Sequence, residues 1–185
     1  VDKMSILILN RVARDLAPYE EWLKDLNEDL VLLTADDYEA DFNPNNFAYF
    51  ESFSNYNYNA NVEARAIELY DRYKYRAVIG ISERDVLRAA YLRDRFGITG
   101  QTWDSAWNFR SKIKMKELAI GHGLPCPVYK AVENSFDLIE FVEQYKLPVV
   151  LKPIDSAGSV GTTVIETQEE LNALLQQGIP HGWEV

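Results

Sequence analysis

The chain is poor in the residues that form covalent cross-links and metal sites. Its 185 residues include one cysteine, Cys126, and two histidines, His122 and His181. A single cysteine excludes an internal disulfide bond, and its spacing from the histidines does not match that of a zinc site. We therefore assign no chemistry to these three residues, and we expect the reducing environment of the cytoplasm.

Basic residues and long apolar segments are also scarce. The chain has 19 lysines and arginines against 29 aspartates and glutamates, which gives a net charge of −10 at pH 7. Such a charge repels nucleic-acid backbones and anionic lipids, so neither is an expected partner. The longest apolar run near the start, residues 6–9, is too short for a signal peptide or a membrane-spanning helix.

Strand and helix patterns alternate through the first 104 residues. Short apolar runs predict strands at 5–10, 29–34 and 76–81, the first two of them buried, and an alternating pattern with aromatic residues predicts a further strand at 46–53. Apolar residues at helical spacing predict three helices, at 16–26, 62–73 and 85–96, and residues 98–100 a short edge strand. This alternation predicts an open, mostly parallel, Rossmann-like α/β sheet with helices on both faces. Because no GxGxxG motif follows the first strand, we interpret this domain as a scaffold or substrate-side domain.

The pattern changes after residue 104. Helices are predicted at 112–122, 136–145 and 168–177, and strands at 128–132, 148–153 and 161–167. Together these elements predict a second domain, 105–185, of the small α+β type. Residues 183–185 have the pattern of a further strand that has just begun, so we expect the chain to be a fragment of a longer protein.

A strand followed by a loop of small residues is the first candidate functional segment. The apolar run PVVLKP delivers Lys152, and the loop after it contains the small residues Ser156, Ala157, Gly158, Ser159 and Gly161. Small side chains leave backbone N–H groups open to phosphate oxygens, and a lysine adds positive charge. The P-loop motif GxxxxGK[ST] is absent. Taken alone, the loop fits an ordinary hairpin with a solvated lysine better than a phosphate site, although lysine is rarely enclosed in so apolar a run without a partner.

A basic run opens the helix predicted at 112–122. Four of the seven residues from Arg110 to Lys116 are basic, in a chain that is otherwise acidic. We interpret Lys114 and Lys116 as solvated. Lys112 differs because it lies in the first helical turn, where the helix dipole disfavours a cation unless an anion binds nearby. Its position therefore predicts a contact with phosphate.

A third candidate lies where the predicted strand 76–81 ends. Glu83 and Arg84 follow this strand at the carboxyl edge of the sheet, where α/β proteins bind ligands. We therefore name them as candidate contacts for an amino-acid substrate. The alternative, which the local pattern favours, is a capping box formed by Ser82 and Asp85, with Glu83 and Arg84 as surface charges.

Taken in order, these motifs resemble the ATP-grasp ligases. The shared elements are a lysine that opens a helix, the segment GHGLPCP, the strand PVVLKP and the segment DSAGSVGTTVI. The resemblance implies that Lys112 and Lys152 contact the phosphates of ATP, that the loop 156–161 folds over the triphosphate, and that Val150 touches adenine. Ser111 stands where the family commonly has an aspartate, and both residue types cap helices.

The resemblance also assigns the two domains. It implies that residues 1–104 are a pre-ATP-grasp domain and that residues 105–185 are the first ATP-grasp subdomain, cut off before the metal-binding half. The expected cofactors are ATP and Mg²⁺, with the metal ligands outside this chain. We accordingly name no metal ligand and no catalytic residue within it, and we expect the chain alone to be inactive.

The implied activity is that of a ligase. In such enzymes a carboxylate attacks the γ-phosphate of ATP, and an amine, or less often a thiol, captures the acyl phosphate. The expected partners are small carboxylate and amine substrates, with an amino acid or a small carboxylate as the activated acid, and a homodimer is left open. Two alternatives remain: a biotin carboxylase-like enzyme, and a non-catalytic module that binds a nucleotide or another small molecule.

Overall fold

Two units make up the chain, each built on its own sheet. The computed structural model describes residues 4–179 and 181–185, so the first three residues of the predicted domain 1–104 lie outside it. The division between the units falls between Ala106 and Trp107. The first unit contains a parallel sheet and the second a small antiparallel sheet. The predicted class, an α/β domain followed by a small α+β unit, is confirmed.

The first unit is organised around four parallel strands. They are β1 (Ser5–Asn10), β2 (Asp29–Ala35), β3 (Tyr49–Phe53) and β4 (Tyr75–Gly80). Their spatial order is β3-β2-β1-β4, and each neighbouring pair is parallel. Every side chain of β1 is buried, as expected for a strand that is covered on both faces of the sheet.

Apolar side chains form a core on each face of this sheet. Leu7 and Leu9 of β1 belong to one cluster of buried residues, and Ile6 and Ile8 belong to the other. This division follows from the strand period of two, which sends successive side chains to opposite faces. The continuous apolar runs in the sequence are therefore explained by burial on both faces.

Two long helices pack in the cluster that contains Leu7 and Leu9. They are α2 (Asn61–Tyr73) and α3 (Asp85–Phe96). Helix α2 buries the four residues that the helical spacing placed on one face, namely Val62, Ala66, Leu69 and Tyr73. Helix α3 is followed by Gly97, which has the left-handed φ of 64° that favours glycine at the end of a helix.

The helix predicted at 16–26 is wrong in its extent. The segment forms a single short turn, α1 (Tyr19–Trp22), followed by the 3₁₀ turn Lys24–Leu26. Pro18 disfavours helical backbone angles in the residue before it, so the helix begins late. Leu16, which the spacing placed on the buried face, is 72% exposed.

The edge strand predicted at 98–100 is also wrong. The N–H of Ile98 donates to the carbonyl of Arg93 at 2.8 Å and closes the end of α3, so it is not used for strand pairing. These residues form no strand, and the turn at Gly97 leads the chain into a helix that the sequence patterns missed, α4 (Trp103–Arg110).

The second unit combines helices with a four-stranded sheet. Its further helices are α5 (Lys112–Gly121), α6 (Ser135–Tyr145) and α7 (Gln168–Gln177). Its strands are β5 (Ala131–Val132), β6 (Val149–Pro153), β7 (Thr163–Ile165) and β8 (Trp183–Glu184), in the spatial order β5-β8-β6-β7. All pairs are antiparallel.

Helix caps in this unit follow the sequence closely. Ser111 accepts a hydrogen bond from the N–H of Lys114, and Thr167 forms a capping box with Glu170. The Ser111 cap agrees with the position of this serine in front of the predicted helix. The two caps fix where α5 and α7 begin, and α5 is the element that carries the basic run.

Strand β6 turns its residues alternately to two sides. Val149 and Leu151 are buried in the apolar core of the second unit. Val150 and Lys152 therefore face the other side of the strand, as the period of two requires. This alternation determines which side chains of the PVVLKP run can reach a ligand.

Candidate functional site

A cleft of about 380 Å³ lies along β6 in the second unit. Val150 and Lys152 line it from β6, Lys116 lines it from α5, and Val185 lines it after the end of β8. The other lining residues are mainly apolar: Pro127, Val128, Phe141, Tyr145, Lys146, Pro148 and Val149. Apolar walls with a few placed charges suit a small ligand that has an apolar part and an anionic part.

The loop between β6 and β7 passes through left-handed backbone angles. Gly158, Ser159 and Gly161 have φ values of 63°, 61° and 78°. These residues and Ala157 are exposed, whereas Ser156 is half-buried. The small residues predicted for phosphate binding therefore form one exposed turn, and it follows directly from the strand that carries Lys152.

Lys112 holds the base of this loop through its ammonium group. Its Nζ donates to the carbonyl of Pro153 and to the carbonyl of Ser156, each at 2.8 Å, and lies 3.3 Å from the carbonyl of Ile154. The neighbouring Arg110 donates to the carbonyl of Asp155. The Lys112 ammonium thus contacts backbone carbonyls, whereas the sequence had suggested a phosphate as its partner. The phosphate contact of Lys112 stays a prediction.

Lys112 shares its electrostatic surroundings with the strand lysine. Burial lowers the pKa of Lys112, the negative charge of Glu184 opposes that change, and the positive charge of Lys152 lowers the pKa further. Positive charge from a helix lysine and a strand lysine therefore accumulates where the loop begins.

Glu184 is a buried acid that pairs with two lysines of the cleft, and the sequence patterns did not assign it a role. Its side chain is 0% exposed, and it lies opposite Lys152 in the antiparallel register of β6 and β8. Its Oε2 accepts a hydrogen bond from Lys116 Nζ at 2.7 Å, and its Oε1 lies 3.3 Å from Lys152 Nζ. A buried carboxylate of this kind is stable only where cations compensate its charge.

The interpretation of Lys116 as a solvated residue is wrong. Its side chain is only 19% exposed because its ammonium lies between Glu184 and the ring of Tyr129, 4.7 Å from the ring centroid. Lys114, on another face of the same helix, pairs with Glu117 and is exposed as predicted. A signal was available in the sequence, since residues four apart share a helix face and Lys116 follows Lys112 by four.

Glu83 and Arg84 lie between β4 and α3 in the first unit. Glu83 is exposed, and the guanidinium of Arg84 lies over the ring of Tyr58 at 5.7 Å from its centroid. The predicted capping box is wrong, because the Ser82 hydroxyl donates to the Asp85 carboxylate at 2.6 Å and no side chain caps the start of α3. A substrate contact for Glu83 and Arg84 stays a prediction.

A buried polar cluster beside these residues was not predicted. Asp85 is fully buried, and Arg88, one helical turn later, pairs with Glu63 at 2.6 Å and donates to the carbonyl of Tyr56 at 2.8 Å. Burial raises the pKa of Asp85, while the hydrogen bond from Ser82 and the charge of Arg88 oppose the rise. The cluster ties the loop before α2 to helix α3.

Asp85→Asn is expected to remove a pH-dependent part of the stability. The folded pKa is raised above the unfolded value of 3.8, so the folded state binds the proton more tightly. The stabilisation from this group is complete below pH 3.8 and is lost as the pH rises through the raised folded value. Urea unfolding between about pH 4 and about pH 7 should show wild type losing stability relative to the variant. Identical slopes for both proteins would contradict this, and the exposed Asp71→Asn serves as the control.

Gly161→Ala is expected to destabilise the loop more than Gly158→Ala. Both residues have positive φ, which costs an alanine about 1 kcal/mol. A Cβ at position 161 would also lie 2.8 Å from Cγ of Pro153, whereas one at 158 meets open space. Overpacking adds at least about 1 kcal/mol. Thermal unfolding of the two variants checks the difference, and equal effects would rule out the close approach of the loop to Pro153.

Within residues 4–179 and 181–185, no group of three or more histidine, cysteine, aspartate or glutamate side chains is arranged to hold a metal ion. Glu184 is buried, but two lysines already compensate its charge, so it does not suit a Mg²⁺ ligand. None of the helices in the described part of the chain is long and apolar enough to cross a membrane.

Comparison with known sequences places the similarity among ligases, although no protein-family model matches. Over 70 residues, or 38% of the chain, the sequence is 30% identical to a D-alanine–D-alanine ligase of Acinetobacter baumannii, of which 23% is covered. Over 97 residues, or 52% of the chain, it is 25% identical to an L-arginine-specific L-amino acid ligase of Bacillus subtilis, of which 24% is covered. The matched part thus spans about a quarter of each relative.

Solved structures share the fold over nearly the whole chain. An L-amino acid ligase from Bacillus licheniformis matches 98% of the chain with a TM-score of 0.65 and 16% identity, over 43% of its own length. The biotin carboxylase domain of 2-oxoglutarate carboxylase from Hydrogenobacter thermophilus, solved with MgADP, ADP and bicarbonate, matches 94% with a TM-score of 0.72 and 16% identity, over 40% of its length. At these identities the comparison establishes the fold, and the chain covers less than half of either structure.

Proposed function

We propose that this chain, which resembles the N-terminal part of ATP-grasp ligases in sequence and in fold, supplies the nucleotide-binding portion of an ATP-dependent ligase. One observation carries the proposal. A helix lysine and a strand lysine meet at the base of an exposed loop of small residues, beside a cleft with apolar walls. This combination suits adenine, which needs apolar contacts, and phosphates, which need positive charge and open N–H groups.

Each residue has a role in the proposed site. Lys152 binds phosphate from β6, and Lys112 holds the loop and adds positive charge beneath it. Ser156, Ala157, Gly158, Ser159 and Gly161 present backbone donors to phosphate. Val150 lines the part of the cleft that takes adenine. Because phosphoryl transfer depends mainly on positioning and charge neutralisation, these groups suit it without any nucleophile of their own.

Mg²⁺ is the second proposed cofactor, and it neutralises phosphate charge when it is bound. The described residues contain no cluster that suits it. We propose, from the resemblance alone, that its ligands lie in a part of the protein outside this chain, together with the groups that orient the acyl acceptor. On this account the chain binds nucleotide weakly and turns over nothing by itself.

The proposed reaction joins a carboxylate to an amine through an acyl phosphate. The names of the relatives favour an amino acid as a substrate, since both the D-alanine–D-alanine ligase and the L-arginine-specific ligase act on amino acids. In a variant of the same reaction, a thiol takes the place of the amine and accepts the acyl group. Glu83 and Arg84 remain the proposed contacts for the substrate from the first unit, and the enzyme is proposed to be cytoplasmic.

A second candidate is a biotin carboxylase-like activity. It is favoured by the TM-score of 0.72 to a biotin carboxylase domain. The two candidates differ in what they require, since one depends on an amine and the other on biotin and bicarbonate. The sequence similarity to amino-acid ligases supports the first.

ADP release measured on the complete protein and on the 185-residue chain tests the proposal. We expect the complete protein to release ADP only with a suitable pair from a panel of amino acids, and the chain alone to release none. Release that requires biotin and bicarbonate would select the second candidate. Binding of ADP with no turnover under any condition would instead identify a non-catalytic nucleotide-binding module. Sedimentation of the same preparation tests whether the protein forms a homodimer.

A further inference from the structure

Glu184 contacts its two lysines unequally. Lys116 donates to Oε2 at 2.7 Å, a short charge-assisted hydrogen bond. Oε1 accepts no hydrogen bond, although Lys152 Nζ lies 3.3 Å away. The carboxylate is therefore bound tightly by the helix lysine and only loosely by the strand lysine.

The surroundings of Lys116 hold its ammonium in place. The group lies 4.7 Å from the centroid of the Tyr129 ring, in a cation–π contact, and the side chain is 19% exposed. Lys152 is more exposed, at 32%, and faces the cleft. Lys116 is thus the fixed partner of the acid, and Lys152 is the one with donors left for a ligand.

We propose that Lys116 is a positioning residue, which engages Glu184 so that Lys152 remains available to the phosphates of a nucleotide in the cleft. The proposal rests on the function proposed above and concerns the same site. It assigns Lys116 an indirect role, through the acid and the strand lysine, and no phosphate contact of its own.

The physical reason is competition for one buried carboxylate. Glu184 needs a cation because it is withdrawn from water. If the Lys116 ammonium is removed, Lys152, which lies opposite Glu184 in the pairing of β6 and β8, is the nearest remaining ammonium. It would then form the close hydrogen bond to Glu184 that Lys116 forms in the wild type. A lysine engaged in this way has fewer donors to offer phosphate, so the affinity for phosphate should fall while the affinity for adenine should not.

Titration of the 185-residue chain with ADP and with adenosine tests this. Lys116→Met is expected to weaken ADP binding by about tenfold, which corresponds to about 1.4 kcal/mol, and to change adenosine binding by less than about twofold. Lys116→Arg keeps the cation and should bind ADP like wild type. Lys114→Met, on an exposed face of the same helix, is the matched control and should also bind like wild type.

The double variant Lys116→Met, Glu184→Gln separates the proposed role from the alternatives. With no acid to capture Lys152, ADP affinity should return to within about threefold of wild type. A double variant as weak as Lys116→Met would overturn the proposal and make Lys116 a direct phosphate ligand or a packing residue. Circular dichroism confirms that each variant is folded. A wild-type chain that binds no ADP would overturn the nucleotide site itself, whereas ADP binding that Lys116→Met leaves unchanged would overturn only the role of Lys116.

Discussion

Lys152→Met is expected to lower the affinity of the chain for ADP by about a hundredfold, or about 2.7 kcal/mol, and to leave adenosine binding almost unchanged. Lys152 faces the cleft from β6 and, unlike Lys116, makes no close hydrogen bond to Glu184, so its donors are open to a phosphate. Removing it also leaves Glu184 paired with Lys116, which limits damage to the fold. Calorimetric titration with both ligands measures the effect directly.

Lys130→Met is the control for this experiment. Its ammonium pairs with Asp137 and Glu140, and its side chain is not among those that line the cleft. We expect it to bind both ligands like wild type. Equal losses of ADP and adenosine in Lys152→Met would contradict a phosphate contact, since a general distortion of the cleft would weaken both ligands together.

Glu184→Gln is expected to lower the free energy of unfolding of the second unit by about 3 kcal/mol. The substitution keeps the shape of the side chain but leaves Lys116 and Lys152 without the buried charge that compensates them. The effect is large because the carboxylate is 0% exposed and accepts the hydrogen bond of Lys116. Denaturant unfolding followed through the backbone amide NMR signals of β6 and β8 reports on this unit, since tryptophan fluorescence would combine signals from both units.

Glu117→Gln provides the matched comparison for the same change of side chain. Its partner Lys114 is exposed, so loss of this ion pair should produce no measurable change in stability. A Glu184→Gln variant as stable as Glu117→Gln would show that the buried acid contributes nothing to the second unit, and the account of the cleft would fail with it.

The parallel sheet and the family resemblance could be predicted from the sequence because both depend on patterns of residues that are close together in the chain. Strand β1 is an uninterrupted apolar run, which is typical of burial on both faces. The caps Ser111 and Thr167 mark their helices through hydrogen bonds to nearby residues. The resemblance to ATP-grasp ligases is confirmed by the named relatives and by the shared fold.

Predictions from local sequence patterns were wrong where a second local effect opposed the first. They also failed where the deciding contact came from a residue far away in the sequence. The apolar spacing around Leu16 predicted a helix that Pro18 delays, because proline restricts the residue before it. Ser82 and Asp85 have capping-box spacing, but the hydroxyl donates to the buried carboxylate and leaves the helix start uncapped. The spacing of two residues in the sequence does not determine which atom their side chains will choose as a hydrogen-bond partner.

The partner of Lys116 could not be predicted in this way. Lys116 and Glu184 are 68 positions apart, and their pairing depends on how α5 and β8 pack in the second unit. The basic composition of residues 110–116 therefore predicted an exposed side chain for Lys116, whereas that side chain is mostly buried. Phosphate contacts by Lys112, Lys152 and the loop stay predictions.

Backbone amide NMR signals of the 185-residue chain, followed while MgADP is added, test whether the nucleotide binds at the loop and the cleft of the second unit. We expect the largest shifts in the loop 156–161, in Val150 and in Val185, with half-saturation at one common concentration. This expectation would be contradicted if those signals did not move, or if the shifts were concentrated in the first unit around Glu83 and Arg84.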